Sequence, residues 1–195
     1  SDKDIDYIRI LYVNGERRER ASSRSVITSN GMYSDDDDTY ERDGLYVSKK
    51  YINESFTNQD RIELVGIQAW KRYFCPVESI HQDPDNYDNV IVRMQQSWWT
   101  YISALNNNLD MFGANTKFYV CNAFELLDEP GEFYYNERTK VLYYMPKQGE
   151  DMTNADVVVP NVNKLIRLTG NDIDDKVSNI SFENIKFEHS AWNAI

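Results

Sequence analysis

Cysteine, histidine, glycine and positive charge are all scarce in this chain, and each shortage closes off a class of function. With only Cys75, Cys121, His81 and His189 scattered along 195 residues, a zinc site has no ligand set to draw on. The eight glycines never fall into a phosphate-cradling loop or a serine elbow, which sets aside nucleotide binding and that type of esterase. Lys and Arg total 21 against 32 Asp and Glu, for a net charge of -11. Nucleic acid needs a clustered positive surface, so it is excluded as a partner. The densest basic cluster, Arg17-Arg18-Glu19-Arg20, is short and broken by acid. It reads as a solvated strand end, with an anion site as the alternative. No apolar run approaches the ~20 residues of a membrane span, so no spanning segment is expected. The opening Ser1-Asp2-Lys3-Asp4 has no apolar signal core, and the expectation is a signal peptide absent or removed. Cys75 and Cys121, if paired, would close a loop of 46 residues, worth on the order of 4 kcal/mol in chain-entropy terms. As free thiols they would be buried; their number alone does not decide between the two.

What the chain does have is β-forming sequence and aromatic bulk. A hydrophobic content of 41% with 13% aromatics supports a packed core. Tyr7-Ile8-Arg9-Ile10-Leu11-Tyr12-Val13 runs into Asn14-Gly15, a strong type I′ hairpin signal, with a return strand from Glu16. Glu132-Phe133-Tyr134-Tyr135-Asn136 and Val141-Leu142-Tyr143-Tyr144-Met145 predict a second hairpin around Glu137-Arg138-Thr139-Lys140. Pro146 ends it by withholding an amide donor. Further short strands are expected at residues 45–47, 61–65, 69–80, 90–94 and 117–120. Residues 98–105 and 122–127 read as single helical turns or strands, and the polar stretch 22–44 reads as a long exposed loop. The fold class is therefore all-β, with a small barrel or sandwich over residues 1–155.

From Asp156 the character changes. Val157-Val158-Val159, Leu165-Ile166-Arg167-Leu168, Ile180-Ser181-Phe182 and Ile185-Lys186-Phe187 are short apolar runs between Asn, Gly and Asp turns. That spacing suits the first strands of a parallel β-solenoid over residues 156–195, in which each strand stacks on the one before. Solenoids need roughly three or more repeats and a cap, so the chain is expected to be a piece of a longer protein.

The segments Leu11-Tyr12-Val13-Asn14-Gly15, Phe124-Glu125-Leu126-Leu127-Asp128-Glu129-Pro130-Gly131-Glu132-Phe133-Tyr134, Leu142-Tyr143-Tyr144-Met145-Pro146 and Val177-Ser178-Asn179-Ile180-Ser181-Phe182-Glu183-Asn184-Ile185-Lys186-Phe187 resemble right-handed parallel β-helix proteins of the carbohydrate-active kind. Residues 22–115 match such proteins only loosely, as a variable insert would. The resemblance implies a secreted, cell-surface or periplasmic glycoside hydrolase parent, of fucosidase or xylanase type, acting on a glycan or polysaccharide. It also implies catalytic acids on later rungs, so no catalytic residue carries over. The remainder of the β-helix then becomes the chain's structural partner, and its own role an accessory, non-catalytic one. A free-standing carbohydrate-binding module and a surface adhesion or assembly domain are the alternatives.

Several side chains could touch a sugar. Trp98, Trp99 and Tyr101 offer ring faces for a pyranose, with Gln95, Gln96 and Asn106 nearby for hydroxyls. Neighbours on a strand point to opposite faces, so at most one of the two tryptophans is expected at the surface. His189 and Trp192 follow the run at Phe187, where a solenoid loop would open toward a groove. Asp128, Glu129 and Glu132 surround Pro130-Gly131 and could form a carboxylate pair of the glycosidase kind; equally, they could accept backbone amides at a turn. No cofactor is expected. Calcium is the one metal that the acidic loops Asp83, Asp85, Asp88 and Asp172, Asp174, Asp175 would suit, although neither has the EF-hand spacing.

Overall fold

The computed structural model describes residues 7–35, 43–67, 72–96, 99–100 and 117–191. The architecture is all-β: two curled sheets, each a half-barrel. Apart from two 3-10 turns, at Gln59–Arg61 and Phe124–Leu126, helix among the described residues is confined to Gln96, Trp99 and Thr100.

The first sheet starts with the predicted hairpin, β1 (Leu11–Val13) and β2 (Glu16–Arg20). Asn14 and Gly15 both take positive φ, 53° and 76°, which is the backbone that a type I′ turn demands and that β-branched residues resist. The second predicted hairpin supplies β10 (Glu132–Asn136) and β11 (Val141–Tyr144). At its turn the Asn136 side chain accepts the amides of Arg138 and Thr139, both at 3.1 Å. β12 (Val157–Val158) closes the order β11-β10-β2-β1-β12. All of its pairings are antiparallel except β10 on β2, which is parallel. Leu11, Val13, Phe133 and Tyr135 form a small core on one face. Because β12 pairs with β1, the sheet runs across the composition change near residue 155.

Between β2 and β10 the chain makes the second sheet. Its strands are β3 (Ile27–Thr28), β4 (Gly31–Tyr33), β5 (Gly44–Ser48), β6 (Glu63–Ile67), β7 (Arg72–Gln82), β8 (Asn89–Met94) and β9 (Lys117–Cys121). They lie in the order β3-β9-β6-β7-β8-β5-β4, and every pairing is antiparallel. A bulge between Val77 and Ser79 shifts the register and sharpens the curl of the long strand β7. The concave face holds the main core, built from Leu45, Val47, Leu64, Val77, Val92, Phe118 and Trp99 among others.

One expectation needs correction. The polar stretch 22–44 contains β3 and β4, because Ile27 is fully buried against β9 and Gly31–Tyr33 pairs along β5. Strands this short are specified by their partners, not by their own composition. The runs at 165–168, 180–182 and 185–187 form no strand, and their apolar side chains are largely exposed. A rung's ladder bonds come from the rungs beside it, and no neighbouring rung pairs with them here.

One backbone approach sets a limit on substitution. A Cβ at Gly44, in β5, would stand 2.1 Å from the Val92 carbonyl oxygen of β8, so the two strands pack closely only because this side chain is absent. Gly44→Ala is expected to cost about 1–3 kcal/mol, measurable as a lower midpoint in urea unfolding.

Candidate functional site: an arginine-lined cleft between the sheets

The strand Glu16-Arg17-Arg18-Glu19-Arg20 has the burial of a half-covered strand, not a solvated one. Arg18 and Arg20 are buried, while Arg17 and Glu19 are exposed. Burying a guanidinium without a partner would be prohibitive, and each buried arginine here has its carboxylate. Arg18 donates to Glu150, to Glu16 at 2.7 Å and to the Val13 carbonyl at 3.2 Å. Glu150 also accepts the Tyr144 hydroxyl at 2.6 Å and the Lys147 amide at 2.8 Å. These bonds, the one from Tyr144 foremost, hold the Glu150 carboxyl below the usual carboxylate range. Burial, followed by the bond to Glu150, pushes the Tyr144 hydroxyl up to about 12.

Arg20 uses a different carboxylate. Glu63, at the start of β6 in the second sheet, is 4% exposed and accepts from both Arg9 and Arg20. The Tyr7 hydroxyl donates to the same Glu63 at 2.9 Å and accepts from Arg20 at 3.0 Å. The Arg9 guanidinium lies over the rings of Tyr7 and Phe74, 4.8 and 5.0 Å from their centroids, adding cation–π attraction in a desolvated setting. One carboxylate of the second sheet thus holds two cations of the first.

Where the sheets meet around this cluster, a cleft of about 610 Å³ opens. Arg9, Arg17, Arg18, Arg20, Arg24 and Arg72 all line it, and Glu19 is the single acid among its lining residues. Arg24 is bonded to the fully buried Glu132 at 2.9 Å. Arg17 and Arg72 are exposed and have no acidic partner among the described residues. Phe74 and Tyr119, from β7 and β9, supply half-buried aromatic surface. Cys121 closes the floor and Cys75 lies nearby in the main core; both thiols are free and buried. Burial, with Glu63 adding to it, pushes the Cys75 thiol up to about 12, and burial likewise raises Cys121.

The described residues among the sugar and metal candidates lie elsewhere. Trp99 is 1% exposed within the main core, while Trp98, Tyr101, Asn106 and Trp192 fall outside the described residues. The amides of Gln95 and Gln96 are engaged by backbone carbonyls, those of Asp60 and Val77 for Gln95 and of Asp43 and Met94 for Gln96. His189 makes a tilted ring contact with Tyr12 of β1, centroids 4.5 Å apart. Of the acids at Pro130-Gly131, Asp128 and Glu129 are exposed. Buried Glu132 accepts their amides at 3.4 and 3.3 Å, the turn-shaping role. Asp83 and Asp172 each accept amides of their own loops.

The cleft escaped the sequence because its arginines come from both sheets and their counter-charges are remote. Arg20 and Glu63 are 43 positions apart, and Arg18 and Glu150 are 132 apart. The one local signal was the basic density of residues 17–20, for which an anion site stood as the alternative; exposed Arg17 and buried Arg18 are the same residue type.

Residues 1–147 match the GH141 insertion domain family. A solved structure titled "Glycoside hydrolase" is similar to the chain at 28% identity and a TM-score of 0.72, covering 95% of this chain. The chain spans 32% of that protein's length. No curated protein matches it.

Two outcomes follow from this geometry. Glu63→Gln strands two buried guanidinium groups and is expected to cost about 3–5 kcal/mol, read from chemical unfolding, whereas Tyr7→Phe should cost only about 1 kcal/mol. Thiolate, not thiol, attacks a disulfide reagent. Cys75 and Cys121 are therefore expected to stay unreactive toward an aromatic disulfide reagent at neutral pH until denaturant unfolds the chain; rapid labelling of the folded protein would contradict their burial.

Proposed function

This chain belongs to the GH141 insertion domain family, and from that premise we propose that it is the accessory β-domain of an extracytoplasmic glycan hydrolase, flanking the substrate groove without performing the chemistry. The observation that carries this reading is the pairing of a family match over residues 1–147 with a glycoside hydrolase neighbour in which the chain accounts for 32% of the length. The acids within the chain support it too. Glu63, Glu132 and Glu150 are each committed to arginine, which leaves none of the three as an unengaged general acid facing a scissile bond.

In the same reading, residues after β12 begin the right-handed parallel β-helix of the parent. Asn179, Asn184 and His189 take left-handed backbone with φ of 56°, 59° and 57°, five positions apart. They bend the chain between the exposed pairs Ile180 and Phe182, and Ile185 and Phe187. Regular bends separating apolar pairs are what a rung needs at its corners, and the exposed side chains are the face that further rungs would cover. The tilted contact of His189 with Tyr12 ties this segment back to the first sheet, and the bond from the Ala191 amide to the Val162 carbonyl, 2.8 Å, ties it to the residues just after β12. The β-domain is then set directly on the start of the helix. Cleavage of fucosyl or xylosyl linkages by the parent is the finer form of the proposal.

An assay of released reducing ends, run with this chain on xylan, fucosylated oligosaccharides and pectic glycans, is expected to give no turnover above buffer. Turnover that survives repurification would overturn the accessory role.

A further inference from the structure

We propose that the cleft between the two sheets is a binding site for the oxyanion of an acidic saccharide, a uronate carboxylate or a sulfate ester, with Arg17 and Arg72 as the contacting residues. Three observations converge on it. The first is charge placement. In a chain of net charge -11, six arginines converge on one cavity with a single lining acid. Four of the arginines are balanced by the four glutamates that hold them, so the positive excess of the cleft is that of Arg17 and Arg72 over the lining Glu19. Clefts lined by one sign of charge focus the field within them and draw in ligands of the opposite sign.

The second observation is availability. Arg9, Arg18, Arg20 and Arg24 are held by Glu63, Glu16, Glu150 and Glu132 and form a rigid, charge-balanced wall. Arg17 and Arg72, from β2 of one sheet and β7 of the other, are exposed and have no acidic partner among the described residues. A planar guanidinium fork pairs with a carboxylate or sulfate through two parallel hydrogen bonds, and the two forks border the same cavity. The third is the surface beside them. Phe74 and Tyr119 line the cleft with half-buried rings, a surface for the apolar face of a sugar. A volume of about 610 Å³ lies within the range of roughly 300–1,000 Å³ that holds small ligands.

The choice of a saccharide rests on the accessory glycan-hydrolase reading, whereas the anion site rests on the cleft alone. The two are separable: a positive turnover assay removes the first, and the titration below addresses the second. The probes are a trisaccharide of galacturonic acid, its methyl ester as the uncharged counterpart, a sulfated galactose oligosaccharide, and inorganic sulfate alone. In calorimetric titration of the 195-residue chain, at least one acidic saccharide is expected to bind, at least about tenfold tighter than the methyl ester and than inorganic sulfate. The affinity should weaken as salt rises. The tighter of the two acidic saccharides names the oxyanion. Arg17→Gln/Arg72→Gln, which changes only exposed side chains, should weaken that binding by at least about tenfold while leaving the unfolding midpoint unchanged. The proposal is overturned if neither acidic saccharide binds, if the methyl ester or free sulfate binds as tightly, or if the folded double variant binds like the parent chain.

Discussion

Glu63 is the constraint on which the molecule's form depends. It belongs to the second sheet, yet both of its ion-pair partners, Arg9 and Arg20, lie in the segment that builds the first. Its carboxylate and the two guanidinium groups are almost fully removed from water. Desolvating three charges is costly, and well-packed hydrophobic residues in place of such a cluster are often as stable. An apolar contact, however, would tolerate sliding between the sheets. Hydrogen bonds of fixed direction between planar groups do not. The cluster therefore fixes the orientation of one half-barrel on the other, and the cleft keeps its shape because its floor is ionic.

The topology explains why such a clasp is needed. The seven strands from β3 to β9 are inserted between β2 and β10, and both connections sit side by side. The Asn122 amide donates to the Ala21 carbonyl at 2.9 Å, and Ser22 bridges Cys121. A unit attached by two adjacent strands could swing about that attachment. The Tyr7–Arg9–Arg20–Glu63 cluster supplies a further contact beside that junction and removes the freedom. The Asn58 amide on the Tyr134 hydroxyl, 2.9 Å, and Arg138 on Asp60, 2.7 Å, reinforce it from the far side.

The sequence was most readable where local chemistry alone dictates structure. Asn14-Gly15 specifies its turn through backbone freedom, and the β-branched and aromatic runs of β6 to β10 specify strands through their own preference for a pleated, half-buried surface. It was least readable where partners decide. Ile27 becomes a strand residue only because β9 lies beside it, and the apolar runs after residue 160 lack neighbours that would make them one. Arg18 and Arg20 read as surface residues because the carboxylates that permit their burial are far along the chain. Long-range charge pairing leaves no short-range pattern. The ring faces of Trp98 and Trp99 suit a sugar, yet the same apolar bulk makes Trp99 the largest fully buried side chain among the described residues.

The nested order of the strands also dictates when each part can fold during synthesis. The hairpin of β1 and β2 leaves the ribosome before the inserted sheet, but its neighbours on either side, β10 and β12, are drawn from residues 132–158. Two strands alone are marginal in water, so this hairpin must wait for its partners. The inserted sheet, by contrast, is complete once Cys121 has emerged. It brings Glu63 with it, so the insert forms before the sheet that flanks it and then recruits the older hairpin by charge. Domains usually fold in the order they are made; here the inserted sheet precedes the strands on both sides of it.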